Sequence, residues 1–289
     1  MPTGRHAVIA MFHSTAMVAD YDRAVGRLGE LFGLRSLECT VSLDPRIARR
    51  GGMTWIGDGS LEIGEPTVEG AAPDRFVRAT GGGMQGIALW VEDFEATVAH
   101  LEAHGVTVPV RMPSGFGFSS PRTTGGLQFE WSSFTVEEDP RLGAQLPPLV
   151  VEPVAPATHQ AFVAAVVDEP VATAERFAAV LGLPVVHVAT HPVEGEPHAV
   201  LSLGDCVLAL HPFSPERSAV LWARSFTRPS VAAIGLRVED LAAARAAVEA
   251  AGARVVRAAD GAVVLEPATT GDVGVVLVDD LLPGDPRRG

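Results

Sequence analysis

The chain has 289 residues, 47% of them hydrophobic, yet no run approaches the roughly 18 apolar residues of a membrane-spanning helix, so a soluble protein with room for two domains is expected. A formal charge of -13 argues against a general binder of nucleic acid or anionic membrane, which would need clustered Lys and Arg, and leaves small molecules or proteins as the expected partners. Cys39 and Cys206 are the only cysteines; they form neither a disulfide framework nor a CxxC motif and suit a reducing cytoplasm.

In chain order, Arg5 followed by Ala7 to Phe12 looks like the start of a secretory leader. No cleavage site follows, and the segment recurs in altered form inside the chain, so it reads as a first strand. From Met17, MVADYDRAVGRLGELFGL crosses Asp20 into a helical pattern closed by Gly33. Arg46, Arg49 and Arg50 read as a solvated basic loop, and Gly51 to Ile63 as strands. The pattern then returns three times. WVEDFEATVAHLEAHGV carries Asp93 and Gly105 before strands from Val106 to Trp131; VVDEPVATAERFAAVLGL carries Asp168 and Gly182 before strands from Val185 to Leu210; RVEDLAAARAAVEAAGA carries Asp240 and Gly252 before strands from Ala253 to Val278.

Each aspartate stands where its carboxylate can cap the free amides of a helix start, and each glycine where a left-handed residue ends a helix. Phe94, Val98 and Leu101 follow the stripe of a helix lying on a sheet. The pattern predicts an α+β protein of four βαβββ modules. Asp20 and Asp93 are 73 residues apart and Asp168 and Asp240 are 72 apart, whereas Asp20 to Asp168 is 148 and Asp93 to Asp240 is 147. Modules therefore pair, and the pair repeats. The expected division is a first domain over 1–136, a Pro-rich extended connector over 137–158, a second domain over 159–283 and a tail over 284–289.

Several motifs favour structural readings. His100 and His104 lie four apart but lack the HExxH arrangement, so a solvated helix face is expected. His187, His191 and His198 read as a surface loop. GFGFSSPRTTGG from Gly115 lacks the lysine and following helix of a phosphate cradle and reads as a hairpin. Trp55, Trp90 and Trp131 are placed in or around the first domain's core or pocket wall.

FHSTAMVADYDRA, GIALWVEDFEATVAHLEAHGV and SSPRTTGGLQFEWSS together resemble the strand-helix and closing-hairpin signatures of the vicinal oxygen chelate superfamily, which includes glyoxalases, bleomycin-resistance proteins and extradiol dioxygenases. The first half looks closest to the methylmalonyl-CoA epimerase and glyoxalase I branches. The resemblance implies two tandem domains, each a cupped, incompletely closed sheet, with metal ligands on the first and last strand of each module. Seven residues before Asp20 that gives His13; the family's last-strand pattern gives Glu62 in SLEIGEP and Glu130 in LQFEW. Glu65 is the alternative to Glu62 under a shifted register. In module two the same offset reaches Gly86, which offers no side chain, while neighbouring Gln85 faces inward only if a bulge intervenes. The second domain presents Ala161 or Phe162, Ala209, Ala233 and Val276, and no metal site is expected there.

The implied function is a metal-assisted isomerase, epimerase or lyase acting on a small oxygenated metabolite, with Glu130 or Glu62 as the proton-transferring base and Arg122, Ser119, Ser120 and Trp55 near the substrate. The cofactor would be one divalent ion among Zn, Mn, Co, Ni, Mg and Fe. The alternatives are a metal-free binding or antibiotic-sequestering protein and an iron-dependent dioxygenase. A monomer or homodimer is expected, because four modules can complete their cups within one chain.

Overall fold

A computed structural model describes residues 8–42, 44–137, 139–149, 151–190, 197–215, 222, 226–259 and 261–288. His191 therefore lies outside the described residues. Five α-helices have both ends among them. In α1 (Tyr21–Phe32), the Asp20 carboxylate accepts the Arg23 N–H at 2.9 Å. A short helix not anticipated from sequence, α2 (Ala72–Thr80), carries Pro73 as its second residue and joins the first two modules. Asp93 caps α3 (Phe94–Ala103) through the Ala96 N–H at 3.0 Å. In α4 (Pro170–Leu181) the expected Asp168 cap is not used: the cap position is Glu169, without a side-chain hydrogen bond. Pro170 at the first helical position has no N–H to satisfy, which lowers the demand for a cap. Asp240 caps α5 (Leu241–Ala250) through the Ala243 N–H at 2.9 Å. No described helix is long and apolar enough to cross a membrane.

The first eight strands are β1 (Val8–Met17), β2 (Arg35–Ser42), β3 (Arg49–Ile56), β4 (Gly59–Pro66), β5 (Gly83–Val91), β6 (Val110–Met112), β7 (Phe116–Phe118) and β8 (Gln128–Ser132). They form one sheet in the order β2-β3-β4-β1-β5-β8-β7-β6. The next eight are β9 (His159–Val167), β10 (Val185–Thr190), β11 (Pro197–Ser202), β12 (Val207–Pro212), β13 (Ser230–Arg237), β14 (Val255–Ala259), β15 (Ala262–Leu265) and β16 (Val275–Val278). Their order, β10-β11-β12-β9-β13-β16-β15-β14, repeats the first. Modules join within each domain through the antiparallel pairs β1–β5 and β9–β13, and the sheet ends do not meet, so each sheet is an open cup.

Strand alternation divides the apolar residues between two environments. On β9, Val163, Ala165 and Val167 enter the main core with residues of α1, α3 and α4, while Phe162, Ala164 and Val166 enter a separate cluster inside the second cup. On β1 the residues lining the first cup instead include the polar His13 and Thr15, beside Phe12 and Met17.

The central strands carry matching bulges. The β1–β5 register passes from Met11↔Leu89 to His13↔Ala88, leaving Phe12 extra, and from Thr15↔Gly86 to Ala16↔Met84, leaving Gln85 extra. In the second domain Ala161 and Ala232 occupy the same positions. A bulge disrupts the ladder and strands polar backbone groups. Arg141 donates to the carbonyls of Met11 and Phe12, both at 2.9 Å, and Arg287 donates to that of Ala161 at 3.1 Å. Each arginine is held by the aspartate two residues before it, Asp139 or Asp285, both buried. Each also reaches a turn of the other domain, Arg141 to Asp205 at 3.7 Å and Arg287 to Asp58 at 3.3 Å.

The Asp-Pro-Arg sequences at 139–141 and 285–287 are thus reciprocal clasps between the domains. Arg141 lies in the segment expected to connect the domains and Arg287 in the expected tail, and both are tied to the fold by these contacts. His100 also departs from the expected solvated face, since its Nε2 lies 3.0 Å from the Val180 carbonyl on α4.

Candidate metal centre

Strand register determines which side chains meet in the first cup. Thr15 on β1 pairs with Glu62 on β4, and Ala88 on β5 pairs with Glu130 on β8. His13 precedes Thr15 by two residues, as Gly86 precedes Ala88, so the four positions related by the module repeat are His13, Glu62, Gly86 and Glu130. The three with side chains converge. Their ligand atoms lie within 4.8 Å of one another, the one such group of His, Cys, Asp and Glu among the described residues. His13 Nε2 stands 3.6 Å from Glu62 Oε2 and 3.8 Å from Glu130 Oε2. All three residues are at most 4% exposed, and neither ring nitrogen of His13 has a hydrogen-bond partner. Glu65 faces the helix side, where it accepts the Tyr21 N–H at 2.9 Å, so the unshifted register holds.

One residue at the centre departs from its expected role. Arg49 is 8% exposed rather than solvated, and its guanidinium clamps Glu62, with Nε to Oε1 at 3.0 Å and Nη2 to Oε1 and Oε2 at 2.7 and 3.0 Å. It starts β3 four residues from Met53, the strand partner of Glu62, and its side chain crosses Gly64; a Cβ there would lie 3.0 Å from Arg49 Cδ. Arg46 and Arg50 are not buried and pair with Asp44 and with Asp22 and Glu38, although Arg46 also lines a cavity at this site.

Enclosure shapes the titration of this group. Burial is the largest influence on His13 and holds its pKa down to about 4, with Glu62 opposing and Arg49 reinforcing. Glu130 is pushed up to about 8 by burial and then by repulsion from Glu62, against the attraction of Arg49. Both shifts favour the uncharged forms, the imidazole for His13 and the carboxylic acid for Glu130.

Two cavities meet at the triad. One, of about 210 Å³, is where the uncharged polar side chains gather: Thr15, Gln85, Ser119, Ser120 and Gln128 line it together with Arg49, Glu62 and Glu130, among apolar residues such as Met17, Ile87 and Phe118. The other, of about 490 Å³, brings Phe12, Met53, Met112, Phe116 and Phe134 around His13 and the same two carboxylates. Gln85 reaches the first cavity because it occupies the β5 bulge, the condition its inward orientation required. Arg122 is exposed and lines neither cavity, although Ser119 and Ser120 of the same hairpin line the smaller one. Trp55 is also absent from both; it lies beneath Arg141, whose guanidinium carbon is 5.9 Å from the ring centroid.

In the second cup the register pairs Ala164 with Ala209 and Gly235 with Val276, which makes Phe162, Ala209, Ala233 and Val276 the counterparts of the first cup's four positions. None carries a metal ligand. His187 and His198 are not loop residues but lie on β10 and β11, and His198 faces the second cup.

Models of the glyoxalase/bleomycin resistance protein/dioxygenase superfamily match residues 12–118 and again residues 159–263. Among solved structures, a triple mutant of 4-hydroxymandelate synthase from Streptomyces coelicolor is 14% identical, covers 96% of both chains and superposes with a TM-score of 0.69. A fusion of a xylose isomerase-like TIM barrel with 4-hydroxyphenylpyruvate dioxygenase is 13% identical over 96% of this chain and 50% of that one, with a TM-score of 0.58. Methylmalonyl-CoA epimerase from Mycobacterium tuberculosis is 21% identical over 47% of this chain and 94% of that one, with a TM-score of 0.41. No curated protein sequence matches. At these identities the solved structures bear on the fold alone. The two family matches coincide with the two open cups, and the chain belongs to the glyoxalase/bleomycin resistance protein/dioxygenase superfamily as a tandem two-domain member.

Proposed function

We propose that the first cup holds one divalent cation through His13, Glu62 and Glu130, and that the protein acts as an isomerase, epimerase or lyase by moving a proton at a carbon beside a carbonyl of a small substrate with adjacent oxygens. The observation that carries this is the buried His13, with two unsatisfied ring nitrogens, facing two buried carboxylates. A buried polar group without a partner is costly, and an unprotonated imidazole beside carboxylates is a suitable donor set for Zn, Mn, Co, Ni, Mg or Fe. When bound, the cation supplies Lewis acidity that stabilises negative charge on the substrate oxygens.

The chain's own side chains divide the remaining work. Arg49 fixes Glu62 from behind, which suits Glu62 to holding rather than to proton transfer. Glu130 takes no part in that clamp and is the carboxyl assigned to accept and return the proton. Gln85, Ser120 and Gln128 orient the oxygenated end of the substrate, and Gln85 is also placed to offer its amide oxygen to the cation. Phe12, Phe116 and Phe134 enclose the rest and limit water. The exposed Cys39 and buried Cys206, both free thiols, suit a reducing compartment.

The test is hydrogen exchange in deuterium oxide with pyruvate, 2-oxobutyrate and hydroxyacetone as probes. Cobalt-reconstituted protein should speed deuterium entry beside the carbonyl, and Glu130→Gln should slow that entry by about 10²–10⁴-fold, the usual worth of a positioned acid-base group. Exchange no faster with the native protein than with Glu130→Gln would count against it.

The Arg49 clamp, with Gly86 at the fourth position, favours one competing reading: a metal-free pocket that sequesters a ligand. In that case His13→Ala would leave ligand affinity and biological activity intact.

A further inference from the structure

The second cup has lost the ligand set without losing its hollow. A cavity of about 330 Å³ occupies it, lined by Phe162, Val200, Ala209, Val264 and Val276 among others. That volume lies at the lower end of the roughly 300–1,000 Å³ common for small-molecule sites. Phe162 stands where the first cup has His13, and its ring lies across Gly235; a Cβ on Gly235 would come within 2.4 Å of a ring carbon. Replacement of all four ligand positions by apolar residues, with a glycine that admits the ring, gives a coherent apolar floor. Loss of one ligand alone would have left unpaired carboxylates or imidazoles behind.

One donor in the cavity wall lacks an acceptor. Trp222 lines the cavity and is 8% exposed, and its indole N–H has no hydrogen-bond partner. A buried donor left without an acceptor is costly, and an incoming acceptor recovers that cost. The indole is held edge-on to His211, with ring centroids 5.2 Å apart at 71°, and His211 stacks on His198 at 6.1 Å and 12°. Trp222 is thereby fixed in orientation. Arg257 and Arg288 also line the cavity, as do Asp279 and Asp280, so charged groups of both signs border the apolar surface.

We propose that the second cup is a ligand site in its own right, independent of any metal, for a small planar and largely apolar molecule bearing an oxygen acceptor. The flat face rests on Phe162 and the oxygen accepts from Trp222 Nε1. The probe is 2-naphthoate, titrated calorimetrically into the full-length chain.

Native protein and His13→Ala should both bind it saturably, with affinities within about twofold. Trp222→Phe should weaken binding about tenfold, the equivalent of one hydrogen bond. Val276→Phe, which fills the cavity, should abolish it while leaving metal content at the first cup unchanged; Ala209→Leu serves as a second filling variant if Val276→Phe fails to fold. No saturable binding below about 1 mM, or binding that His13→Ala removes and the filling variants spare, would overturn the proposal.

Discussion

Arg49→Met is expected to destabilise the metal-stripped protein by about 3–5 kcal/mol, the usual cost of removing one partner of a buried ion pair. The guanidinium makes three contacts of 2.7 to 3.0 Å with Glu62, and its removal leaves that carboxylate buried beside Glu130 with no countercharge at the same distance. The loss belongs to the uncompensated charge rather than to the volume of the side chain. The double variant Arg49→Met/Glu62→Leu should therefore recover most of it, since an apolar pair of similar size often replaces a buried ion pair at little cost. A divalent cation added to Arg49→Met should also restore stability, because it supplies the missing positive charge. Denaturant midpoints at fixed pH measure all three. A loss below about 1 kcal/mol, the range of exposed pairs, would show that the clamp is not structural.

The stability of the metal-stripped protein should fall as pH rises from about 6.5 to about 8. Glu130 has its pKa raised from 4.5 to about 8, so between these values the folded chain holds a proton that the unfolded chain has released, and stability declines with pH. His13 has its pKa lowered from 6.5 to about 4, so over that lower range the unfolded chain holds the extra proton, and stability rises with pH. The two effects oppose each other below about 6.5. Above it the Glu130 effect dominates, still opposed at first by the unfolded chain's half-protonated His13, and the net loss between pH 6.5 and 8 is about 1 kcal/mol. Glu130→Gln should flatten that slope. Saturating divalent cation should do the same, because a coordinated Glu130 is already ionised and cation affinity itself strengthens as the proton leaves. A flat profile in the chelated native protein would contradict the burial of a protonated Glu130.

The parts of this arrangement differ in how far they could be read from sequence. Helix starts at Asp20, Asp93 and Asp240 were legible because capping is local, a side chain bonding an amide three residues on. Asp168 misled because Pro170 already satisfies the first helical position one residue later. His13, Glu62 and Glu130 followed from the repeat and from the family pattern, which count along single strands. Arg49 did not, because its neighbours Arg46 and Arg50 are not buried and only the pairing of β3 with β4 across Gly64 sends it inward. The Asp-Pro-Arg clasps repeat 146 residues apart, a spacing visible beforehand, but the sequence resembles an ordinary turn. Its purpose depends on carbonyls freed by bulges more than a hundred residues away. Gln85 was ambiguous for the same reason, since strand alternation points it outward and the bulge reverses it.

The asymmetry between the cups is the central claim: charged ligands in the first and an apolar floor in the second. The most direct measurement is the metal content of the full-length chain purified without chelator and then dialysed against Mn, Co, Ni or Zn, compared with His13→Ala treated identically. About one ion per chain is expected in the native protein, with most of it lost in His13→Ala. No retained ion in the native protein, or two per chain with His13→Ala unaffected, would contradict it.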